Sequence, residues 1–486
     1  MTKTRSPLPC RRRASLSQDE PGLGAPVVRG PASCLLPEAP YAAPAALPAA
    51  DPRPRRARAA AFRLLPALFL AAGALALFTA TDILAKGASP LRDAGGPAGA
   101  GAVQAPEESL GTEAAAALQA ILDARTSSGE LAGAVFVAMR DGKVVFEGAS
   151  GQFDREAGIP MTPDALFRLA SVSKAFTSLA AAALISQGAM SLDDPVTRFL
   201  PYFTPKARNG SEPVITVRQL LTHTSGLGYG FMEKPTGPMH RAGVSDGCTR
   251  DEGLTIEENM RRLASVPLRS LPGTEWRYSL SADVMGAAMA AAAGKTYNEV
   301  MEEAVSRPLG LSDTGFFARD PSRLTAHYSS AGKKLERMTD PYLYRTGSGR
   351  AFSFSPGRAL DPAAWPSGGC GMVSSAREVA LAVDAARLLG KGGPIGDAGS
   401  AWFLADAIAP RQSDPGDGFG GGWAVMRAPV SGPYSPGTIR WSGVYGHQWF
   451  ADPASGLSGA LLTNTAMRGM TTDAMRMLAE ELYRAR

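Results

Sequence analysis

The chain has 486 residues, 45% of them hydrophobic, which is too long for one small domain and enough for a large two-lobed domain with extra segments. The net charge of +5 is concentrated at the start: residues 1–63 hold eleven basic and four acidic side chains, a surplus of seven, so the remainder carries −2. A near-neutral body with no basic stripe interleaved with aromatics argues against nucleic acid as a partner, and four cysteines without C-x-x-C and four scattered histidines without H-E-x-x-H argue against a metal or redox centre; no cofactor is expected.

Residues 1–62 read as a disordered basic leader, rich in Pro, Ala and Arg and poor in large apolar side chains. Arg53, Arg55, Arg56, Arg58 and Arg63 then gather before an apolar run of 17 residues, Leu64 to Ala80, so 63–82 reads as a membrane anchor or a signal segment. Either way the basic flank stays in the cytoplasm and the rest crosses, which predicts a periplasmic or cell-envelope location. A retained anchor is the preferred reading, because no small-residue cleavage site stands out and no cysteine follows for lipid attachment. Residues 83–112 are a Gly/Ala/Pro linker, and 113–486 the folded domain.

Within that domain Ala115 to Ala124 predicts a helix. Ala134 to Ala138 and Val144 to Phe146 flank Asp141-Gly142 and predict a β-hairpin. Ser171 to Gln187 is a nearly all-apolar helix ended by Gly188. Loops and Ala-rich helices fill the middle. Three strand-like runs follow, Gly422 to Met426, His447 to Ala451 and Gly459 to Thr463, and a last helix runs from Thr472 to Arg484. Strands at both ends around a helical middle predict an α/β (α+β) fold: an antiparallel sheet built from both chain ends, flanked by helices, with a mostly helical lobe inserted.

Ser171-Val-Ser-Lys174 is an S-x-x-K, which puts a hydroxyl and an amine on one face of a helix. A serine attacks carbonyls only when a base takes its proton, and a lysine serves only if neutral, which Ala175, Phe176, Leu179, Ala182 and Leu184 would favour by excluding water. A second S-x-x-K, Ser330 to Lys333, has no apolar helix behind it. No G-x-S-x-G occurs, so the nucleophile elbow of α/β-hydrolases does not compete.

The stretch Met161 to Lys174, with Leu192-Asp-Asp-Pro195, Leu220-Leu-Thr-His-Thr-Ser-Gly-Leu227 and Pro308-Leu-Gly-Leu311 in that order, resembles class C β-lactamases, penicillin-binding proteins and their esterase relatives across nearly all of 113–486. The resemblance implies Ser171 as nucleophile, Lys174 as its proton partner and Tyr278 as the proton relay of the second motif, with either Lys174 or Tyr278 as the base. That motif is normally Y-x-N; here it is Tyr278-Ser-Leu280, without the amide that helps bind an acyl amide. The third motif, normally K-T-G, is Trp441-Ser442-Gly443 and looks like the W-G-G of family VIII carboxylesterases. Family position makes the Ser171 and Val444 N–H groups the oxyanion hole. Trp441, Ser442, Gly443, His447 and Tyr229 are candidate pocket residues, although Trp441 packing under the sheet is the plainer alternative. Arg440 could replace the lost lysine charge, but strand alternation turns it to the other face. His223, Ser281 and Asp283 read as structural, the latter two as helix caps, and 231–252 as a variable loop; whether Cys248 and Cys370 pair is open.

These features predict a serine hydrolase acting through an acyl-enzyme on small carboxylic esters. A β-lactamase or D-alanyl-D-alanine carboxypeptidase acting on an amide, and a binding module without turnover, are the alternatives.

Overall fold

A computed structural model describes residues 110–330, 334–345, 351–396, 399–408, 417–427 and 432–486. The leader, the apolar run, the linker up to residue 109 and three of the four positions of the second S-x-x-K lie outside the described residues. Among the described residues no helix is long and apolar enough to cross a membrane, a statement that does not reach the 64–80 run.

An eight-stranded antiparallel sheet is the spine of the domain. Its strands are β1 (Gly133–Arg140), β2 (Lys143–Asp154), β3 (Ile159–Pro160), β4 (Asp417–Phe419), β5 (Ala424–Met426), β6 (Ile439–Gly443), β7 (His447–Ala451) and β8 (Leu457–Thr463), in the spatial order β4-β5-β6-β7-β8-β1-β2-β3. The two chain ends meet where β8 runs against β1, from Ala134 opposite Thr463 to Arg140 opposite Leu457. The β1–β2 turn is the two-residue Asp141-Gly142, both with positive φ (49° and 87°), as a tight hairpin of matching twist requires.

Strand β1 is apolar from Gly133 to Met139 because helices cover both sheet faces. Its Val135, Val137 and Met139 join the large core, while Phe136 and Ala138 point into a second cluster. Helices α1 (Thr112–Ser127) and α5 (Ala474–Arg484) cover that second face. The buried Met475, Leu478, Ala479 and Leu482 of α5 form the i, i+3, i+4, i+7 stripe that docks it, each large side chain contributing about 2 kcal/mol by burial. Leu110 also packs there, and its N–H donates to the Val145 carbonyl (3.2 Å). Between β3 and β4 lies the inserted lobe, with α2 (Ser173–Ser186), α3 (Ser281–Ala293) and α4 (Ala376–Arg387). Helix α2 is buried from Ser173 to Leu184, which accounts for apolar residues on every side of it.

Two features differ from the sequence reading. The Ser171–Gln187 helix is a 3-10 turn, Ala170–Val172, leading into α2 at Ser173. Strand β6, which carries the third motif, was not among the three late runs, although Ile439, Trp441 and Gly443 alternate with Arg440 and Ser442 over its five residues as a strand requires.

Candidate active site

The chain turns sharply into Ser171. Ala170 has φ +46°, a left-handed conformation that costs a non-glycine residue about 1–2 kcal/mol. It is held there by full burial among Phe354, Cys370, Tyr445 and Met467. Ser171, half-buried, then faces two proton carriers. The Tyr278 hydroxyl donates to its Oγ at 2.6 Å, and Lys174 Nζ donates to it at 3.3 Å. Lys174 is 2% exposed. Its amine also donates to the Gly369 carbonyl (2.7 Å) and lies over the rings of Tyr278 and Tyr229, with centroids 4.7 and 5.5 Å away.

Tyr278 belongs to an extended segment clamped along the Leu220–Leu227 stretch. Gly273 N–H donates to Thr224 O (2.7 Å), Arg277 N–H to His223 O (2.8 Å) and Leu280 N–H to Gly228 O (3.1 Å). His223, with φ +53°, packs its ring 5.0 Å from that of Tyr278 and bonds Ser279 Oγ through Nδ1 (3.1 Å). The hydroxyls continue from Ser279 to Ser281 and on to Ser225 at 2.8 Å each. Burial, and secondarily Lys174, hold the His223 pKa well below the ordinary 6.5, so its ring is a neutral brace behind Tyr278.

Strand β6 supplies the opposite wall. Trp441, Ser442 and Gly443 pair with Trp449, Gln448 and His447 of β7, whereas β5 pairs only as far as Arg440, which leaves that stretch an open edge. A Cβ on Gly443 would lie 2.6 Å from the Leu169 carbonyl oxygen, so only glycine lets β6 reach the Ser171 turn and brings Val444 beside it. Trp441 is half-buried and packs against the edge of the large core. It continues a row of rings: Tyr278 (5.6 Å), then Phe419 (5.4 Å from Trp441), then Trp276 (5.4 Å from Phe419). On the other side Tyr229 stacks on Phe231 (4.7 Å), and Phe231 meets Phe352 (4.6 Å).

Several site expectations need correction. His447 does not line the groove. It is fully buried, its Nε2–H donates to Arg168 O (2.8 Å) and its Nδ1 accepts the Thr463 N–H (3.3 Å), so it ties β7 and β8 to the strand before Ser171. Tyr229 is 3% exposed and backs Tyr278 and Lys174 instead of bordering the groove. Burial and the neighbouring Tyr278 raise its phenol pKa well above the ordinary range, so it keeps its proton. Arg440 pairs with Asp417 (2.6 Å). Ser281 and Asp283 cap nothing: α3 has no side-chain cap, and Asp283 accepts Ser367 Oγ–H (2.5 Å) and Gly369 N–H (3.1 Å). The 231–252 loop is pinned by the Cys248–Cys370 disulfide (Cα atoms 5.4 Å apart) and by half-buried Asp246, which accepts the Gly230 and Phe231 N–H groups at 2.8 Å each.

Leu280, standing where the family places asparagine, is 0% exposed in the core. Leu280→Asn is therefore expected to cost about 2–4 kcal/mol in urea unfolding, by losing apolar contacts and burying an amide. A variant as stable as the parent would mean that this side chain reaches the groove after all.

Sequence reasoning missed Trp276, Phe419, Phe231 and the Gly369 carbonyl. For Trp276 a signal existed: two residues before Tyr278 in an extended segment puts both rings on one side.

The family model described as Beta-lactamase matches residues 118–483. Esterase EstB of Burkholderia gladioli is 42% identical over 373 residues, covering 76% of this chain and 95% of that protein. Among solved structures EstCE1, described as a hydrolase with promiscuous acyltransferase activity, aligns with a TM-score of 0.72 at 39% identity, covering 76% of this chain and 98% of its own. Simvastatin synthase (LovD) of Aspergillus terreus shares the fold at a TM-score of 0.60 and 20% identity, covering 77% of this chain and 98% of its own.

Proposed function

The chain belongs to the beta-lactamase family, and from that premise we propose that it is an exported serine esterase that cleaves small carboxylic esters through an acyl-enzyme on Ser171. The observation that carries the chemistry is the Ser171 oxygen lying 2.6 Å from the Tyr278 hydroxyl and 3.3 Å from the Lys174 amine. Ser171 attacks the ester carbonyl as its proton passes to the Lys174–Tyr278 pair. The Ser171 and Val444 N–H groups receive the oxyanion. Tyr278 returns the proton to the departing alcohol, and water releases the acid by the same route in reverse.

Three observations favour esters over lactams or peptides. EstB, at 42% identity, is named an esterase. Trp441 replaces the lysine that would hold a substrate carboxylate, and the nearby Arg440 is already paired with Asp417. The row of rings that runs from Tyr278 through Trp441 and Phe419 to Trp276 offers apolar surface suited to a neutral group. Export is favoured by the basic-then-apolar segment before the domain and by the Cys248–Cys370 disulfide, a bond that persists in oxidising compartments.

One experiment reaches both parts. A membrane-impermeant fluorophosphonate is added to spheroplasts, and the labelled protein is peptide-mapped and followed through an alkaline membrane wash. The expected result is label on the Ser171 peptide before lysis, in a protein that stays in the membrane pellet, together with turnover of short p-nitrophenyl esters. No label on folded protein, or nitrocefin turned over faster than esters, would sink the esterase reading. Label gained only after lysis would sink export, and release by the wash would replace the anchor with a cleaved signal.

A further inference from the structure

We propose that the Cys248–Cys370 disulfide is a positioning element for Lys174, so that the reactivity of Ser171 depends on its being closed; this rests on the serine-hydrolase reading above.

The carbonyl that holds Lys174 belongs to Gly369, in the run Ser367-Gly-Gly-Cys-Gly371. Glycine is required there by space. A Cβ on Gly368 would lie 2.7 Å from the Ala282 carbonyl oxygen, and one on Gly369 2.6 Å from Asp283 Oδ2 and 3.0 Å from the Tyr229 hydroxyl. A glycine run has little conformational preference of its own, so its shape must be imposed by tethers. From the helices, Asp283 holds Ser367 and Gly369, Thr177 Oγ–H donates to Gly368 O (2.8 Å), and Met372 N–H donates to Ser173 Oγ (3.1 Å). The covalent tether is the disulfide, on the residue next to Gly369.

Its other end matters equally. Gly247, beside Cys248, lies against Ser367, where a Cβ would be 2.2 Å from Oγ. Asp246, two residues before Cys248, accepts the Gly230 and Phe231 N–H groups. Phe231 stacks on Tyr229, and Tyr229 faces Lys174. The disulfide thus closes a loop of contacts that runs from Lys174 through Gly369, Cys370, Cys248, Asp246, Phe231 and Tyr229 back to Lys174. Opening it removes the covalent tether and leaves the carbonyl and the phenol ring that fix the amine in relation to Ser171 Oγ held by hydrogen bonds and packing alone, while the sheet and helices keep their own hydrogen bonds.

The test uses the full chain with Cys10→Ser and Cys34→Ser, so that the pair is the only source of thiols. A water-soluble phosphine supplies two electrons to the S–S bond. The two sulfurs take up protons as thiols, and the phosphine takes oxygen from water to become its oxide. Thiol titration counts none before and two after. The rate of fluorophosphonate labelling of Ser171 and kcat on a p-nitrophenyl ester are expected to fall together by about tenfold or more, as displacement of a catalytic group by a fraction of an ångström would produce, with KM within about twofold. Far-UV circular dichroism stays unchanged, and oxidised glutathione restores both rates. Equal labelling rates in the two forms, free thiols in the protein as isolated, or activity lost only together with the dichroism signal would overturn the proposal. Absence of labelling in either form would instead overturn the serine-hydrolase reading beneath it.

Discussion

Ser171→Ala is expected to lower kcat on esters by about five orders of magnitude, and Tyr278→Phe by about two to four, with the double variant no worse than Ser171→Ala alone. The first change removes the only atom on which an acyl group can be carried. The second is the sharper probe. Phenylalanine keeps the ring packed 5.0 Å from His223 and 5.6 Å from Trp441, and removes just the hydroxyl that donates to Ser171 Oγ at 2.6 Å. KM should therefore hardly move while kcat falls, the pattern of a group used in the transition state and not in substrate binding. Steady-state kinetics on a p-nitrophenyl ester reads both numbers. If Tyr278→Phe keeps more than about a tenth of kcat, proton transfer runs through Lys174 alone and the relay assigned to the phenol is wrong.

The parts of this molecule legible in its sequence are those carried by local pattern. The Asp141-Gly142 turn, the largely apolar α2 with Gly188 after it (φ +73°), and β7 from His447 to Ala451 appear where periodicity and turn chemistry put them. Ser171 and Lys174 were legible because a spacing of three on a helical turn already implies contact. The surroundings of Ser171 were not, because they are assembled across long separations. Trp441 meets Tyr278, Phe419 meets Trp276, and Gly369 meets Lys174, 195 positions away. Gly369 illustrates the limit best. Its contribution is a backbone carbonyl, which every residue possesses, so only the fold can single it out. His447 shows the converse: a histidine beside a recognisable motif invited a pocket role, yet its two ring nitrogens are both taken by main chain. Asp283 erred in the same direction, since an acidic residue in the first turn of a helix matches a capping pattern while its partners lie in a loop more than eighty positions on.

The buried titratable groups make the pH dependence of stability a second large effect, with opposite signs at two sites. Burial depresses the His447 pKa from the ordinary 6.5 to about 4 by penalising the charged ring. Below pH 6.5 the unfolded chain takes up a proton that the fold refuses. This site's stability is thus complete above 6.5 and is lost as pH falls towards about 4, by about 3 kcal/mol in all. His223 and His327, also depressed by burial, act in the same direction. Asp246 acts in reverse. Burial raises its carboxyl from 3.8 to about 6, so between those values the folded protein binds a proton that the unfolded chain does not, and stability grows by about 3 kcal/mol as pH falls through the window. The two contributions nearly cancel in the parent, and single substitutions separate them. Urea unfolding measured from pH 7 to 4 is expected to show His447→Gln losing less stability than the parent, and Asp246→Asn losing more, each difference growing as pH drops. Because the readout is a slope with pH, a constant packing penalty from either substitution leaves it unchanged. Parallel curves for parent and His447→Gln would mean that the imidazole titrates equally in the folded and unfolded chains, and that His447 is not the dry brace between β7, β8 and the Ser171 turn that its two main-chain bonds describe.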